Sequence, residues 1–145
     1  MSLEIWFWIA HVPAAAGWLA LIVLPRETGV RTARWAAGLL AVGYALLFFT
    51  AAPETSVLAR DYGLTGVAAF FANPQLQLLG WVHYLAFDLL VGSWMVDEGK
   101  RLGVPARTLV PCLILTCMLG PLGFLAYLAA RSTRRAHERP AEVAS

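Results

Sequence analysis

Charged residues make up only 14% of this 145-residue chain, while hydrophobic residues make up 59%. Soluble globular domains carry about 25% charged residues, so this composition excludes an ordinary soluble domain. The mean hydropathy of +0.65 agrees with that reading. We therefore expect an integral membrane protein whose main surroundings are the lipid bilayer, and we expect no nucleic-acid partner.

Cysteine is also scarce, because Cys112 and Cys117 are the only two. They lie five positions apart in one apolar stretch, a spacing that matches neither a CxxC pair nor a metal site built from two helical turns. Free buried cysteine behaves as a small hydrophobic residue. We expect both to serve packing, and we expect no metal site and no cofactor.

The N-terminal segment lacks the basic start of a cleaved signal peptide. Ala14, Ala15 and Ala16 resemble a processing site, but Glu4 lies at the beginning of the apolar run. We expect this run to be retained as a membrane span, with no transit peptide, lipidation motif or internal repeat.

Long apolar runs predict four membrane-spanning helices, because a span needs about 20 apolar residues. The runs are continuous rather than alternating, which favours helices over barrel strands. The predicted spans are residues 5–24, 35–52, 76–96 and 109–130. The predicted fold is an all-α integral membrane four-helix bundle, with residues 1–145 as one domain that ends in a basic polar tail, residues 131–145.

The predicted connectors differ in length and character. Residues 26–34 form a short basic connector, predicted as a tight turn around Gly29. The connector 53–73 is the longest, and its apolar part, 67–71, suggests an interfacial segment that covers the bundle like a lid. Asn73-Pro74 is a helix-start signature. Pro121 predicts a kink in the last span.

The membrane orientation is not decided by charge at this stage. An even number of spans places about five basic residues on one face and about six on the other, so the positive-inside rule does not discriminate. The basic tail is interpreted as a solvated stop-transfer segment without a function of its own.

A polar and aromatic stripe runs along the third predicted span. At about 100° per residue its members fall within about 40° of one another and face the bundle interior. The members are Gln77, Trp81, Tyr84, Asp88 and Met95. A carboxyl group in mid-membrane costs about 2.5 to 3.5 kcal/mol on insertion scales, so Asp88 is a candidate functional residue, and Tyr84 one turn away can bond to it. The alternative is an interhelical hydrogen bond that fixes the bundle register.

His83 is the second titratable residue of this span, about 140° around the helix from Asp88. An ideal helix does not aim both side chains at one atom, although a π-bulge would align them or both could border one cavity. Apolar surroundings favour the neutral forms of a carboxyl and an imidazole, which gives an acid and a base suited to proton transfer.

Two further features leave alternatives open. His11 in the first span supplies a second imidazole, so a bis-His haem or quinone redox protein is one alternative, and contact with lipid headgroups is another. Gly120, Pro121 and Gly123 form a patch with few side chains that admits either a neighbouring helix or a flat polyene chain. The remaining Trp and Phe residues could line a hydrophobic groove.

The run W-V-H-Y-L-A-F-D-L at residues 81–89, preceded by Asn73-Pro74 and followed by G-P-L-G at residues 120–123, resembles the ABA4-like family of small four-span membrane proteins. Plant members of that family are implicated in neoxanthin synthesis. The resemblance implies an isomerisation in which an epoxide of violaxanthin opens to an alcohol while an adjacent polyene carbon loses a proton to give an allene.

The resemblance makes Asp88 and His83 the expected catalytic acid and base. Expected substrate-binding residues are Gln77, Trp81, Tyr84, Gly120 and Gly123. The chain looks like a compact prokaryotic member, expected in the inner (cytoplasmic) membrane, so the substrate could be another carotenoid or a prenyl lipid. Alternatively the protein is a non-catalytic carotenoid- or lipid-binding partner of a larger membrane enzyme. Association into a homo-oligomer is compatible with its Gly-rich faces.

Overall fold

Six helices make up the part of the chain that the structure describes. The computed structural model describes residues 2–51 and 63–143. The helices are α1 (Leu3–Val23), α2 (Arg26–Ala51), α3 (Leu64–Ala72), α4 (Pro74–Arg101), α5 (Ala106–Leu119) and α6 (Pro121–Val143). No strand occurs within the described ranges, so the predicted all-α class is confirmed.

Three of these helices, α1, α2 and α4, are long and apolar enough to cross a membrane. They correspond to the first three predicted spans. Helix α5 is apolar but has only 14 residues. At about 1.5 Å per residue it is shorter than the ~30 Å hydrocarbon core of a bilayer. The predicted bundle of four spanning helices is therefore not confirmed.

Helices α1 and α2 are joined by only two residues, Leu24 and Pro25. The predicted connector 26–34 is wrong, because α2 already begins at Arg26. Charged residues at the start of α2 resemble a loop in hydropathy, yet they lie in regular helical turns. Gly29 allows the close approach of the two helices, since a Cβ atom there would lie 2.5 Å from the carbonyl oxygen of Ala20.

The start of α4 agrees with the predicted signature. The Asn73 side chain accepts hydrogen bonds from the backbone amides of Gln75, at 2.9 Å, and Leu76, at 3.3 Å. Pro74 occupies the first turn, where no amide donor is needed. Helix α3 falls on the predicted interfacial segment and packs through Phe71 against Gly80 of α4. The rest of the predicted lid, residues 53–62, lies outside the described residues.

Helix α4 is the centre of the core. Its largest fully buried side chains have 0 to 1% exposure, and they are Leu76, Val82, Leu89, Met95 and Val96. Glycines bring α1 close to α4: Gly17 lies against Leu89, and Gly92 lies against the Trp18 ring. Small residues at such crossings allow tight packing between membrane helices.

The fourth predicted span, 109–130, is a helical hairpin rather than one kinked helix. Helix α5 runs back along α4, with Leu109 beside Gly99 and the carbonyl of Cys117 bonded to the Tyr84 hydroxyl. At Gly120 the backbone has φ 47° and ψ −99°, a conformation that L side chains rarely adopt. Pro121 then begins α6, so the chain reverses near Asp88, close to the midpoint of α4.

Helix α6 returns towards the end of α4 from which α5 started. Trp94 of α4 contacts Phe124, with ring centroids 5.8 Å apart. Glu98 of α4 accepts hydrogen bonds from Tyr127, at 2.9 Å, and from Arg131, at 2.6 and 2.7 Å. These contacts attach the returning helix to the C-terminal end of α4.

The hairpin places the C-terminal tail at the same end of the molecule as the α1–α2 turn. Ten of the eleven Lys and Arg residues belong to helices or turns at this end, which we call the basic end. They are Arg26, Arg31, Arg34, Lys100, Arg101, Arg107, Arg131, Arg134, Arg135 and Arg139. Arg60, the eleventh, lies outside the described residues. The charge asymmetry that four spans would hide is therefore pronounced.

The topology predicts that positions 107 and 132 face the same side of the membrane, and that the positive-inside rule places this side in the cytoplasm. Single cysteines introduced as Arg107→Cys and Ser132→Cys, with both native cysteines replaced by alanine, should share one accessibility to a membrane-impermeant thiol reagent. Ser2→Cys should show the opposite accessibility. Opposite labelling of positions 107 and 132 would instead require a fourth complete span.

Candidate functional site

The Asp88 carboxyl lies directly beneath the turn of the hairpin. Asp88 is half-buried, and its Oδ2 atom is buried without a hydrogen-bond partner among the described residues. A Cβ atom at position 120 would lie 3.1 Å from this oxygen. The missing side chain of Gly120 thus leaves room for the carboxyl group. An unsatisfied buried polar atom is costly in a fold and is a recognised mark of a functional position.

Two helix ends meet at this turn, and α4 offers each a matching group. Helix α5 ends with carbonyl groups that lack intrahelical partners, and the Tyr84 hydroxyl donates to one of them, that of Cys117, at 3.2 Å. Helix α6 begins at Pro121, and its first amides carry partial positive charge close to Asp88. A donor and an acceptor one turn apart on α4 therefore face the two ends of opposite polarity.

Gln77 and Trp81 lie on the same stripe of α4, nearer its N-terminus, and line a cavity of about 390 Å³. Glu4 and Phe7 of α1 form its opposite wall. The Trp81 ring lies 5.5 Å from the Tyr84 ring, so the stripe continues from the cavity towards Asp88. The structure thus brings together four of the predicted residues: Gln77, Trp81, Tyr84 and Asp88.

His83 lies at a different interface. Its ring stacks on Phe87, with centroids 4.5 Å apart, and lies 5.8 Å from the ring of Tyr44 in α2. Residues 83–88 are regular α-helix without a π-bulge, so the angular separation from Asp88 persists. The structure does not bring His83 and Asp88 together at one point, and their predicted division into base and acid stays a prediction.

His11 is held by two hydrogen bonds. Its Nδ1 atom lies 2.7 Å from the Phe7 carbonyl, and its Nε2 atom lies 3.3 Å from Nε1 of Trp81. Because a carbonyl only accepts and an indole N–H only donates, Nδ1 carries the hydrogen and Nε2 accepts. Neither nitrogen is left to bind a haem iron in this arrangement. The role of His11 is to orient Trp81 at the cavity.

The remaining predicted residues serve the hairpin. A Cβ atom at Gly123 would overlap the backbone of Thr116, so Gly123 allows α5 and α6 to cross closely. Both cysteines are free. Among the described residues no group of three His, Cys, Asp or Glu side chains could hold a metal ion. Sequence reasoning did not assign a site role to Glu4 or to the Cys117 carbonyl, because no local pattern links either to α4.

A second, larger cavity lies between α1 and α2. It has a volume of about 650 Å³, and its walls are almost entirely apolar. Trp6 and Pro13 border it on α1, Gly43 and Leu47 on α2, and Val82 on α4. This groove has the size and chemistry for a hydrocarbon chain.

Comparison with known proteins gives one match. A family model described as ABA4-like (ABA DEFICIENT 4-like) matches residues 5–127, which include α1 and the whole hairpin turn. No curated protein and no solved structure matches the chain.

Gly120→Ala should destabilise the protein, because the added methyl group meets the Asp88 carboxyl and the backbone conformation disfavours any side chain. The expected loss is roughly 1 to 3 kcal/mol in the free energy of unfolding. Gly38→Ala is the control, since a Cβ atom there has no neighbour within 4 Å. Thermal unfolding in detergent should show a lower Tm for the first variant only. Equal Tm values would contradict the described turn.

Proposed function

Because the chain belongs to the ABA4-like family, we propose that it binds a carotenoid or related prenyl lipid within the membrane and isomerises it by acid–base chemistry at Asp88. The observation that carries this proposal is the buried, unbonded oxygen of Asp88 beneath the hairpin turn. A carboxyl group in such surroundings is ready to exchange a proton with a ligand rather than with its own neighbours.

The implied reaction, opening of an epoxide to an alcohol with formation of an allene, involves no net change in protons. One C–O bond breaks and the oxygen gains a proton, while an adjacent C–H bond breaks and its electrons form the new double bond. A protonated carboxyl can supply the first proton and, as a carboxylate, accept the second. Asp88 alone can therefore complete the cycle and return to its starting state.

His83 is the predicted base, and its place on the opposite flank of α4 distinguishes two forms of the proposal. In the first form Asp88 performs both transfers and Tyr84 positions the group that reacts. In the second form His83 accepts the carbon-bound proton, which requires the ligand to reach around α4. The contact between Tyr84 and the hairpin turn supports the first form.

The substrate position follows from the two cavities. A polar ring end fits the cavity of Gln77, Trp81 and Glu4, where amide, indole and carboxyl groups can bond to hydroxyl oxygens. The polyene chain needs apolar walls, and the groove between α1 and α2 supplies them. We assign Gln77 and Trp81 to orientation of the ring end and Gly120 to close approach at the turn.

Non-catalytic binding is the second candidate function. The apolar groove of about 650 Å³ supports it, because the groove is distant in chemistry from any proton donor. In that case the chain holds a pigment or prenyl lipid for a larger membrane enzyme. The same experiment separates both candidates.

In a violaxanthin-producing host, liquid chromatography of the pigments should reveal an allenic product with the unmutated chain. Asp88→Asn should reduce its yield by about 100-fold or more at equal expression, because the proton donor is lost. Tyr84→Phe should reduce the yield less. Tyr127→Phe is the matched control, since it removes a phenol that bonds Glu98 instead of the turn.

His83→Ala decides between the two forms: full yield supports proton transfer by Asp88 alone, whereas loss of yield supports His83 as the base. Unchanged yield in Asp88→Asn would refute the catalytic proposal. Pigment that copurifies with the chain without conversion in any variant would establish the binding function instead.

A further inference from the structure

A third cavity, of about 500 Å³, lies at the basic end between α2 and α4. Four cationic side chains line it, and two carboxylates accompany them. The cations are Arg26, Arg31, Arg34 and Lys100, and the carboxylates are Glu27 and Asp97. Asp97 follows Asp88 by nine residues along α4, so this cavity is separate from the site of the proposed reaction.

Ion pairs neutralise only half of the positive charge. Arg34 lies 3.1 Å from Asp97, and Lys100 lies 2.6 Å from Glu27. Arg26 donates to the carbonyl oxygen of Val104 at 2.9 Å, which leaves its charge uncompensated. The remaining cation, Arg31, has no hydrogen-bond or ion-pair partner among the described residues. The cavity therefore holds two surplus positive charges.

The position of the cavity indicates where its ligand comes from. Trp35 lines the same cavity, one turn after Arg31, and is 73% exposed. Tryptophan at the end of a membrane helix marks the level of the lipid headgroups. The first amides of α2 lie at this level too, and their partial charge favours an anion. Guanidinium groups bind phosphate oxygens in a bidentate manner.

We propose that this cavity binds the phosphate group of an anionic phospholipid, with Arg31 and Arg26 as its charged contacts. The two ion pairs hold Arg34 and Lys100 in place at the rim, and Trp35 lies beside the glycerol region. The ligand is then a structural lipid that fixes α2 against α4 at the basic end.

Native mass spectrometry of the full chain in detergent tests this proposal. Titration with a short-chain phosphatidylglycerol should show saturable binding of one lipid, and a short-chain phosphatidylcholine should bind much more weakly. Arg31→Gln should weaken phosphatidylglycerol binding about tenfold, because one charged contact is lost. Arg107→Gln is the matched control: Arg107 is exposed near the same end but does not line the cavity.

Three outcomes would overturn the proposal. Equal binding of the two lipids would show that the phosphate charge is not recognised. Equal affinity in Arg31→Gln and the unmutated chain would show that binding occurs elsewhere. Displacement of the lipid by millimolar inorganic phosphate would assign the cavity to a free anion instead of a headgroup. Pigment conversion is not part of this readout, so its failure would not affect the result.

Discussion

The reversal of the backbone at Gly120 is the constraint on which the rest of the architecture depends. A positive φ at this position turns a continuous apolar stretch into two antiparallel helices of half-membrane depth. The turn sets the depth at which α5 and α6 meet α4, and that depth coincides with Asp88. It also allows α6 to reach Glu98, whose bonds to Tyr127 and Arg131 hold the hairpin closed. The candidate site and the basic end are thus products of one local conformation.

Most of the helices could be predicted from sequence, because they depend on local patterns. Apolar runs of sufficient length identified three spanning helices, and Asn73-Pro74 located the start of α4. The fourth span failed because hydropathy is continuous across Gly120 and contains no information about a backbone angle. The connector 26–34 failed for the opposite reason: charged residues interrupt the apolar run while the helix continues beyond it.

The site was predictable along α4 and unpredictable across helices. The 3.6-residue period placed Gln77, Trp81, Tyr84 and Asp88 on one face and separated His83 from them, and both features hold. The partners of those residues lie far away in sequence. Cys117 bonds to Tyr84, Gly120 faces Asp88, and His11 bonds to Trp81. Such pairings depend on how helices pack, which no spacing within a single helix reveals.

The hairpin has a consequence for how the chain enters a bilayer. A complete fourth span would move Arg131 and the three arginines that follow through the hydrocarbon layer, at a cost of about 2.5 to 3.5 kcal/mol for each charge at its centre. A hairpin that enters and leaves on the same side translocates none of them. Once α4 is in place, α5 and α6 can settle beside it as a pair, guided by Glu98 at the entrance. Membrane insertion of this chain is then finished after three crossings.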